Sequence, residues 1–473
     1  MTLCLGDSAS TFVVMEDGDL NVLGINYYGE LGLGYRSIRH RTPVEAFTLL
    51  HKNAFGGHDV VMASAGSSHS GCVTSTGSLW MWGPAADGAV GVAAGDDGML
   101  PQYQLVPIQV FPQARVLMVS CGYKFTMILT RQKQVWTCGV GMFGQLGHND
   151  TESRNSFTQI DHELFGAGAT VTMVVAGYGH SMALTRSTAG DTLWTWGSNS
   201  YGQLGHGDRE DRLLPVTIPA ETFGDVPVVS MDGGKCHTLV VTADGSLWGC
   251  GCDAFGQLGL HAHLTVVDFN ARVFTMQRVV GPEFADNHGV LMAACGQMHS
   301  VVLAKNHTVW VCGPGPEISA IPNADYTRVL TLMDPARFDN KKIFVVAAGN
   351  TCCGAVTEDG DVWKWGLGLE EPCALELTAP DLPARAGRWH GPSPENIVAF
   401  MMQLQERLGV EAPMFERNLP DCLLRYMFDK MQFEPHTDTP DGLRDCMGIR
   451  QPRRVTALEH EAPVLPDDHG DEQ

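Results

Sequence analysis

Long apolar runs are missing from this chain of 473 residues: no stretch approaches the roughly 20 residues that a membrane-spanning helix needs. The opening MTLCLGDSAS has neither the basic start nor the apolar segment of a secretory signal. Basic residues are scarce, with 31 Lys and Arg against 53 Asp and Glu, and the formal charge of −22 argues against broad contact with nucleic-acid phosphates. No two of the 14 cysteines stand in a CxxC spacing, which removes the usual zinc-knuckle pattern. No P-loop, serine-histidine-acid register or paired-carboxylate arrangement can be placed without arbitrary choice. These absences lead us to expect a soluble, monomeric, intracellular protein, cytoplasmic or nuclear, with no catalytic, cofactor-binding or metal-binding residues.

What the chain has in quantity is glycine, 54 residues of it, and the glycines recur in a pattern. LWTWGSNSYGQLGHGD (193–208) joins an alternating strand to a glycine-studded turn. Related copies are LNVLGINYYGELGLG (20–34), LWMWGPAADGAVG (79–91), VWTCGVGMFGQLGHND (135–150), LWGCGCDAFGQLG (247–259), VWVCGPGP (309–316) and VWKWGLGLEEP (362–372). Their anchor glycines, Gly24, Gly83, Gly139, Gly197, Gly251, Gly313 and Gly366, stand 53 to 62 residues apart, room for a small antiparallel sheet in each unit.

A second signature lies between these copies: GSSHSGCVTSTGSLW (66–80), GYGHSMALTRSTAGDTLW (177–194), GKCHTLVVTADGSLW (234–248) and GQMHSVVLAKNHTVW (296–310). Each reads as strand, tight turn, strand, with Asp244-Gly245, Asp359-Gly360 and Thr76-Gly77 suited to two-residue hairpins. An apolar strand precedes each signature and a proline-led strand such as LLPVTI (213–218) follows each glycine loop, so the unit is four strands. Seven such units close into a ring that leaves only short sheet edges. The expected fold is all-β, a seven-bladed propeller over residues 1–383. MTLCLGD (1–7) and PCALELT (372–378) are expected to zip it shut.

Trp194 and Trp196 are expected between blades; Trp82 and Trp365 share the repeat position of Trp196, with Cys138, Cys250 and Cys312 standing there in other copies as small core residues. Gly202 and Gly205 should let the turn pass close to the adjacent blade. His69, His180, His237 and His299 share one repeat position, with Ser10, Phe125 and Cys352 in the remaining copies. Seven equivalent positions form a ring and need not converge on one ion, so each imidazole is expected to satisfy a neighbouring backbone group. His261 and His263 amount to two ligands without a third and define no metal site.

The alternating GxxHSxxL and WGxNxxGQLG motifs resemble those of the regulator of chromosome condensation family, over roughly residues 1–380. The resemblance implies a seven-bladed propeller; the family's namesake is an exchange factor for the small GTPase Ran, while many relatives are scaffolds or ubiquitin-ligase parts. It places a projecting wedge at GPAADGAVGVAAGDDGMLPQYQLVPIQV (83–110), an acidic site on Lys124, and a histidine at Cys236 or His237. Lys124 reverses the family's charge, and the basic amino-terminal arm is absent. Asp96 and Asp97 offer a replacement charge from the same loop, against the plainer reading of a solvated turn.

Beyond Ala384 the repeat stops. GPSPENIVAFMMQLQERLG (391–409) and NLPDCLLRYMFDKM (418–431) read as amphipathic helices, giving a two-helix extension over 384–433, and residues 434–473 as a disordered acidic tail. LPDCLLRYMF resembles the opening of an F-box, which would put Leu423 and Phe428 against a ubiquitin-ligase partner. The expectation is a non-catalytic scaffold for a protein partner, in small-GTPase regulation, with nucleotide exchange and ubiquitin ligation as alternatives. Candidate partner-binding residues are Asp87, Asp96, Asp97, Lys124, His237, Leu423 and Phe428, and the extended loops at 85–105, 208–215 and 260–290 are the expected contacts.

Overall fold

The computed structural model describes residues 1–6, 10–35, 44–92, 106–108, 115–188, 190–260, 270–279, 289–314, 326–366 and 369–375. Within them lie seven four-stranded antiparallel sheets, each built from four strands consecutive in sequence. The fourth blade shows the plan: Thr170–Ala176, His180–Ser187, Gly190–Gly197 and Arg212–Ile218 pair in order. Both candidate helices and the tail lie outside the described residues.

Apolar side chains meet between blades. Each of seven buried clusters bridges one pair of neighbours, and one joins Leu3, Leu5, Val13 and Phe47 of the first blade to Ala347, Cys352, Val356 and Val362 of the last. The ring therefore closes by face-to-face packing. The two ends do not share a sheet as the zipping expectation required: Thr2–Leu5 is the inner strand of the first blade, and Leu369–Leu375 the outer strand of the seventh. Lys364, almost buried, also crosses this seam and donates to the Thr11 hydroxyl at 3.0 Å.

Glycine is what lets the inner strands approach the axis. A methyl group on Gly66, Gly122, Gly234, Gly296 or Gly349 would run into the carbonyl oxygen of the next glycine in the ring, and Gly349 meets Gly6 so that the circle is complete. The glycine loops use the other property of the residue. Gly202 and Gly205 have φ of +83° and +81°, and a Cβ on either would meet the next blade at Phe274 or Met276.

Trp196 Nε1 donates to the Gln145 carbonyl of the preceding blade at 3.0 Å, and Trp82 Nε1 to the Glu30 carbonyl at 2.7 Å. Where cysteine replaces tryptophan, the thiol points at the same carbonyl: Cys138 to Ala89 at 3.4 Å, Cys250 to Gln203 at 3.3 Å and Cys312 to Gln257 at 3.3 Å. These cysteines are donors as well as small core residues. Trp365 is buried to the same degree, with no hydrogen-bond partner for its Nε1 among the described residues. Single 3-10 turns in the connectors between blades, absent from the sequence reading, set Phe55, Phe165, Phe223 and Phe338 edge-on to Trp80, Trp194, Trp248 and Trp363 at centroid distances of 5.5 to 5.8 Å.

Candidate functional site

Because consecutive strands run antiparallel, the turn between the first and second strands and the loop between the third and fourth share one face of the ring. The same four-residue step repeats in the loops of the first five blades. Gly144 N donates to the Gly141 carbonyl and Gly147 N to Gly144, as do Gly202 to Asn199 and Gly205 to Gly202. Gln145, Gln203 and Gln257 each accept from a backbone N–H two residues earlier, and Asn199 accepts from Leu204 N at 3.0 Å. Asp150–Arg154 and Asp208–Arg212 ion pairs brace the two loops that end in GHND and GHGD. The Arg154 guanidinium holds the exposed Asp150 carboxyl down at about 2.

Glu30 takes the glutamine position in the first blade. Its Oε2 accepts from Tyr28 N at 2.6 Å, while its Oε1 is buried without a partner. Burial, opposed by nearby backbone N–H groups, pushes its pKa up to about 6. A raised folded-state pKa means that Glu30 supports the fold below its ordinary range and loses that support as the pH rises through 6. Glu30→Gln should therefore stabilise the protein at pH 7.5 by about 1–2 kcal/mol and be near neutral at pH 4. Urea midpoints of both proteins at the two pH values check this.

The four repeat histidines are fully or almost fully buried between blades. Nε2 of His69, His180 and His237 meets the hydroxyl of Thr126, Thr238 and Ser300 on the following blade at 2.9, 2.9 and 3.0 Å. Each hydroxyl in turn donates to the loop carbonyl that a cysteine of its own blade also reaches, at 2.6 to 2.7 Å. The expected backbone partner is thus chiefly a side-chain hydroxyl. Desolvation holds His69, His180 and His299 at about 4 and His237 at about 3, so all are neutral near pH 7. No metal-binding group of His, Cys, Asp or Glu occurs among the described residues. His237 has no accessible surface to offer a partner.

Two rings of side chains crown this face. The inner ring is the residue after each axial glycine: Ser67, Tyr123, Tyr178, Lys235, Gln297 and Asn350. A relay links these turns, with the Ser67 hydroxyl reaching Tyr123, Tyr123 N reaching Tyr178, Lys235 N reaching Gln297 and Gln297 N reaching Asn350, at 3.3 to 3.5 Å. Tyr123 and Tyr178 stack at 4.0 Å with their planes 16° apart. Lys124 lies over the Tyr123 ring at 5.7 Å and Lys235 over the Tyr178 ring at 5.5 Å.

The outer ring is one position in each of the first five loops, Tyr28, Asp87, Phe143, Tyr201 and Phe255. Arg272 lies 5.0 Å from the Tyr201 centroid. Among the described residues seven large apolar side chains are exposed, and six of them, Tyr28, Tyr35, Tyr123, Met142, Phe143 and Tyr201, are on this face. The seventh, Leu332, ends an outer strand on the opposite face.

Asp87 and Lys124 are brought together in an ion pair of 3.1 Å between neighbouring blades. Residues 83–92 form the same loop as the other blades, Gly88 N bonding Ala85 and Gly91 N bonding Gly88. Asp96, Asp97 and the rest of the wedge to 105 lie outside the described residues, as do Leu423 and Phe428. Residues 212–215 belong to a strand and 272–278 to another, which trims the loops expected at 208–215 and 260–290. Sequence reasoning passed over Tyr123, Tyr178 and Lys235. Their signal was the variable residue behind an otherwise regular glycine.

The geometry defines a closed repeat propeller whose elaborated face is a shallow aromatic and cationic surface rather than a cleft. The chain belongs to the RCC1-like domain family, whose sequence model matches residues 2–285. It is similar to the ultraviolet-B receptor UVR8 of Arabidopsis thaliana, 31% identical over 61% of this chain and 59% of UVR8. It also resembles the E3 ubiquitin-protein ligase HERC2 of Homo sapiens, 29% identical over 72% of this chain but only 7% of that protein. Among solved structures, yeast RCC1 (Prp20) bound to Kap60 superposes with a TM-score of 0.64 at 20% identity, covering 76% of this chain and 84% of that one. Human WBSCR16 superposes at 0.62 with 21% identity, covering 77% and 95%. These two likenesses show the fold. No helix among the described residues is long and apolar enough to cross a membrane.

Proposed function

We propose that this protein is a non-catalytic scaffold that holds a protein partner on the face carrying Tyr123, Tyr178, Lys124 and Lys235. The observation that carries this reading is that six of the seven exposed large apolar side chains among the described residues lie on that face. Stacked tyrosines tethered to lysines present area at little entropic cost, and Tyr, Phe, Met and Arg are the residues that protein interfaces favour. In a chain of charge −22, lysines and arginines gathered beside aromatics suit a partner surface with acidic groups around an apolar centre. The free, buried cysteines fit a reducing compartment, consistent with work inside the cell.

Small-GTPase regulation is the partner class that family membership favours, and one solved relative, Prp20p of Saccharomyces cerevisiae, is described with its binding to Gsp1p and histones. Nucleotide exchange is the second reading. It draws on Asp87, which brings a carboxylate to the place of the family's acidic site, although Lys124 neutralises it there. The ligase reading rests on the tail around Leu423 and Phe428, and HERC2's name covers a protein of which this chain spans 7%.

The test is affinity capture from the cells that make the protein, comparing wild type with a Lys124→Glu/Lys235→Glu variant and a Leu332→Ser control. The scaffold reading expects the main partner to bind the double variant at least about tenfold more weakly, a loss of about 1.4 kcal/mol or more, and the control unchanged. Equal recovery by all three proteins would remove the face from consideration. Release of labelled GDP from Ran separates the readings: a scaffold leaves the rate unchanged, and exchange accelerates it.

A further inference from the structure

Cysteine occurs on both sides of one particular strand end. Strands His237–Thr242 and Leu247–Cys252 pair with His237 opposite Gly251, so Cys236 stands directly opposite Cys252, and Cys252 N donates to the Cys236 carbonyl at 2.8 Å. The corresponding pairs in neighbouring blades are Lys124 with Val140 and Gly179 with Ser198, closed by the same backbone bond. Among the described residues, two thiols face each other at this position only in the fifth blade.

Directly opposed residues of an antiparallel pair have Cα atoms about 4.5–5.5 Å apart, inside the range a disulfide spans. The two side chains pack together with Ala254, 7% and 5% exposed at the edge of the partner-facing surface. Both are free.

We propose that Cys236 and Cys252 form a reversible dithiol/disulfide site, closed by a hydroperoxide and reopened by a cellular thiol. The chemistry has an asymmetric start. The neighbouring Cys236 thiol, the Ala254 N–H and the Arg272 charge hold the Cys252 thiol below its ordinary range, while Cys236 is held above its own. Cys252 is therefore the attacking thiolate.

Its sulfur attacks one peroxide oxygen: an S–O bond forms, the O–O bond breaks, and hydroxide leaves to become water. Cys236 then gives up its proton, its sulfur attacks the Cys252 sulfur, the S–S bond forms and the S–O bond breaks with loss of a second water. Two thiols and one hydrogen peroxide yield one disulfide and two waters, the two electrons passing from sulfur to peroxide. Reduction by glutathione or a protein dithiol restores both thiols through a mixed disulfide.

The site is set among the groups of the proposed face. Lys235 directly precedes Cys236 and lies over Tyr178, and Arg272, which pairs with Cys252 in the sheet, lies over Tyr201. Closing the disulfide removes the thiolate charge beside both cations. The bond itself does not depend on the proposed function, so its test needs no partner.

The purified full chain is treated with hydrogen peroxide, its remaining thiols are alkylated under denaturing conditions, and a chymotryptic digest is read by tandem mass spectrometry. Trypsin leaves both cysteines in one peptide, whereas cleavage after Trp248 separates them. The expected result is a peptide pair joined through Cys236 and Cys252, with Cys250 alkylated and the link abolished by dithiothreitol. A Cys236→Ser protein should instead trap Cys252 as a sulfenic acid that reacts with dimedone. Full alkylation of both residues in wild type, or Cys252 found as sulfinic acid beside an alkylated Cys236, would overturn the proposal.

Discussion

Lowering the pH from 7 to 4 is expected to cost this protein several kcal/mol of stability, most of it between pH 6.5 and 4. The cause is the ring of histidines held neutral between blades. His69, His180 and His299 at about 4 and His237 at about 3 lie below the ordinary 6.5 because burial penalises the imidazolium. The unfolded chain takes up protons at these sites below pH 6.5 and the folded chain does not, so stability is fully present above 6.5 and falls as the pH drops toward 4. Each histidine accounts for on the order of 3 kcal/mol once the unfolded form is charged and the folded form is not.

Two carboxyls oppose this. Asp232, half-buried, and Glu30, buried, are both raised to about 6 by desolvation, so the folded state gains from them as the pH falls through 6. Four histidines outweigh two carboxyls, and the net slope keeps the sign of the histidines. Urea midpoints measured at pH 7, 5.5 and 4.5 should fall steadily, and a His180→Phe protein should show a shallower fall. Phenylalanine is chosen because Phe125 already fills that position in the third blade. A midpoint constant from pH 7 to 4.5 would contradict the assignment.

Gly66→Ala is expected to destabilise by at least about 3 kcal/mol, at the upper end of overpacking costs, because the obstacle is backbone. The added methyl would press on the Gly122 carbonyl of the next blade and on the His69 ring. Relief requires the inner strands to move apart, and in a closed ring that displacement is shared with every neighbour. An exposed connector glycine makes the control: a Cβ at Gly168 meets nothing within 4 Å, although its positive φ carries a modest strain of its own. Thermal melts of the two variants should differ by several degrees, and equal melting would show that the axial contact is dispensable.

Much of the fold was legible because each blade writes the same four strands in the same order, and repetition compensates for weak individual signals. The closure was not legible. Whether terminal strands share a sheet depends on which blade each joins, and Thr2–Leu5 and Leu369–Leu375 read alike as a repeat's first and last strands in either scheme. The double use of cysteine was hidden for a related reason: Cys138 aligned with Trp196 suggests a size change, and only geometry reveals that both donate to a loop carbonyl.

The face was half legible. Asp87 and Lys124 were singled out, though not as a pair, since they come from different blades. His237 drew attention as the family's histidine, yet its imidazole is bonded to Ser300 and the accessible groups of that turn begin at Lys235. Tyr123 and Tyr178 are 55 residues apart in sequence and meet only because consecutive blades bring their turns side by side.

Docking of a partner on this face can be read by hydrogen exchange on the captured complex, because binding raises protection where backbone is covered. New protection is expected at turns 122–124, 177–179 and 234–236 and in loops 140–147 and 198–205. Protection confined to the opposite face, at connectors 52–55, 162–165, 220–223 and 335–338, would contradict it.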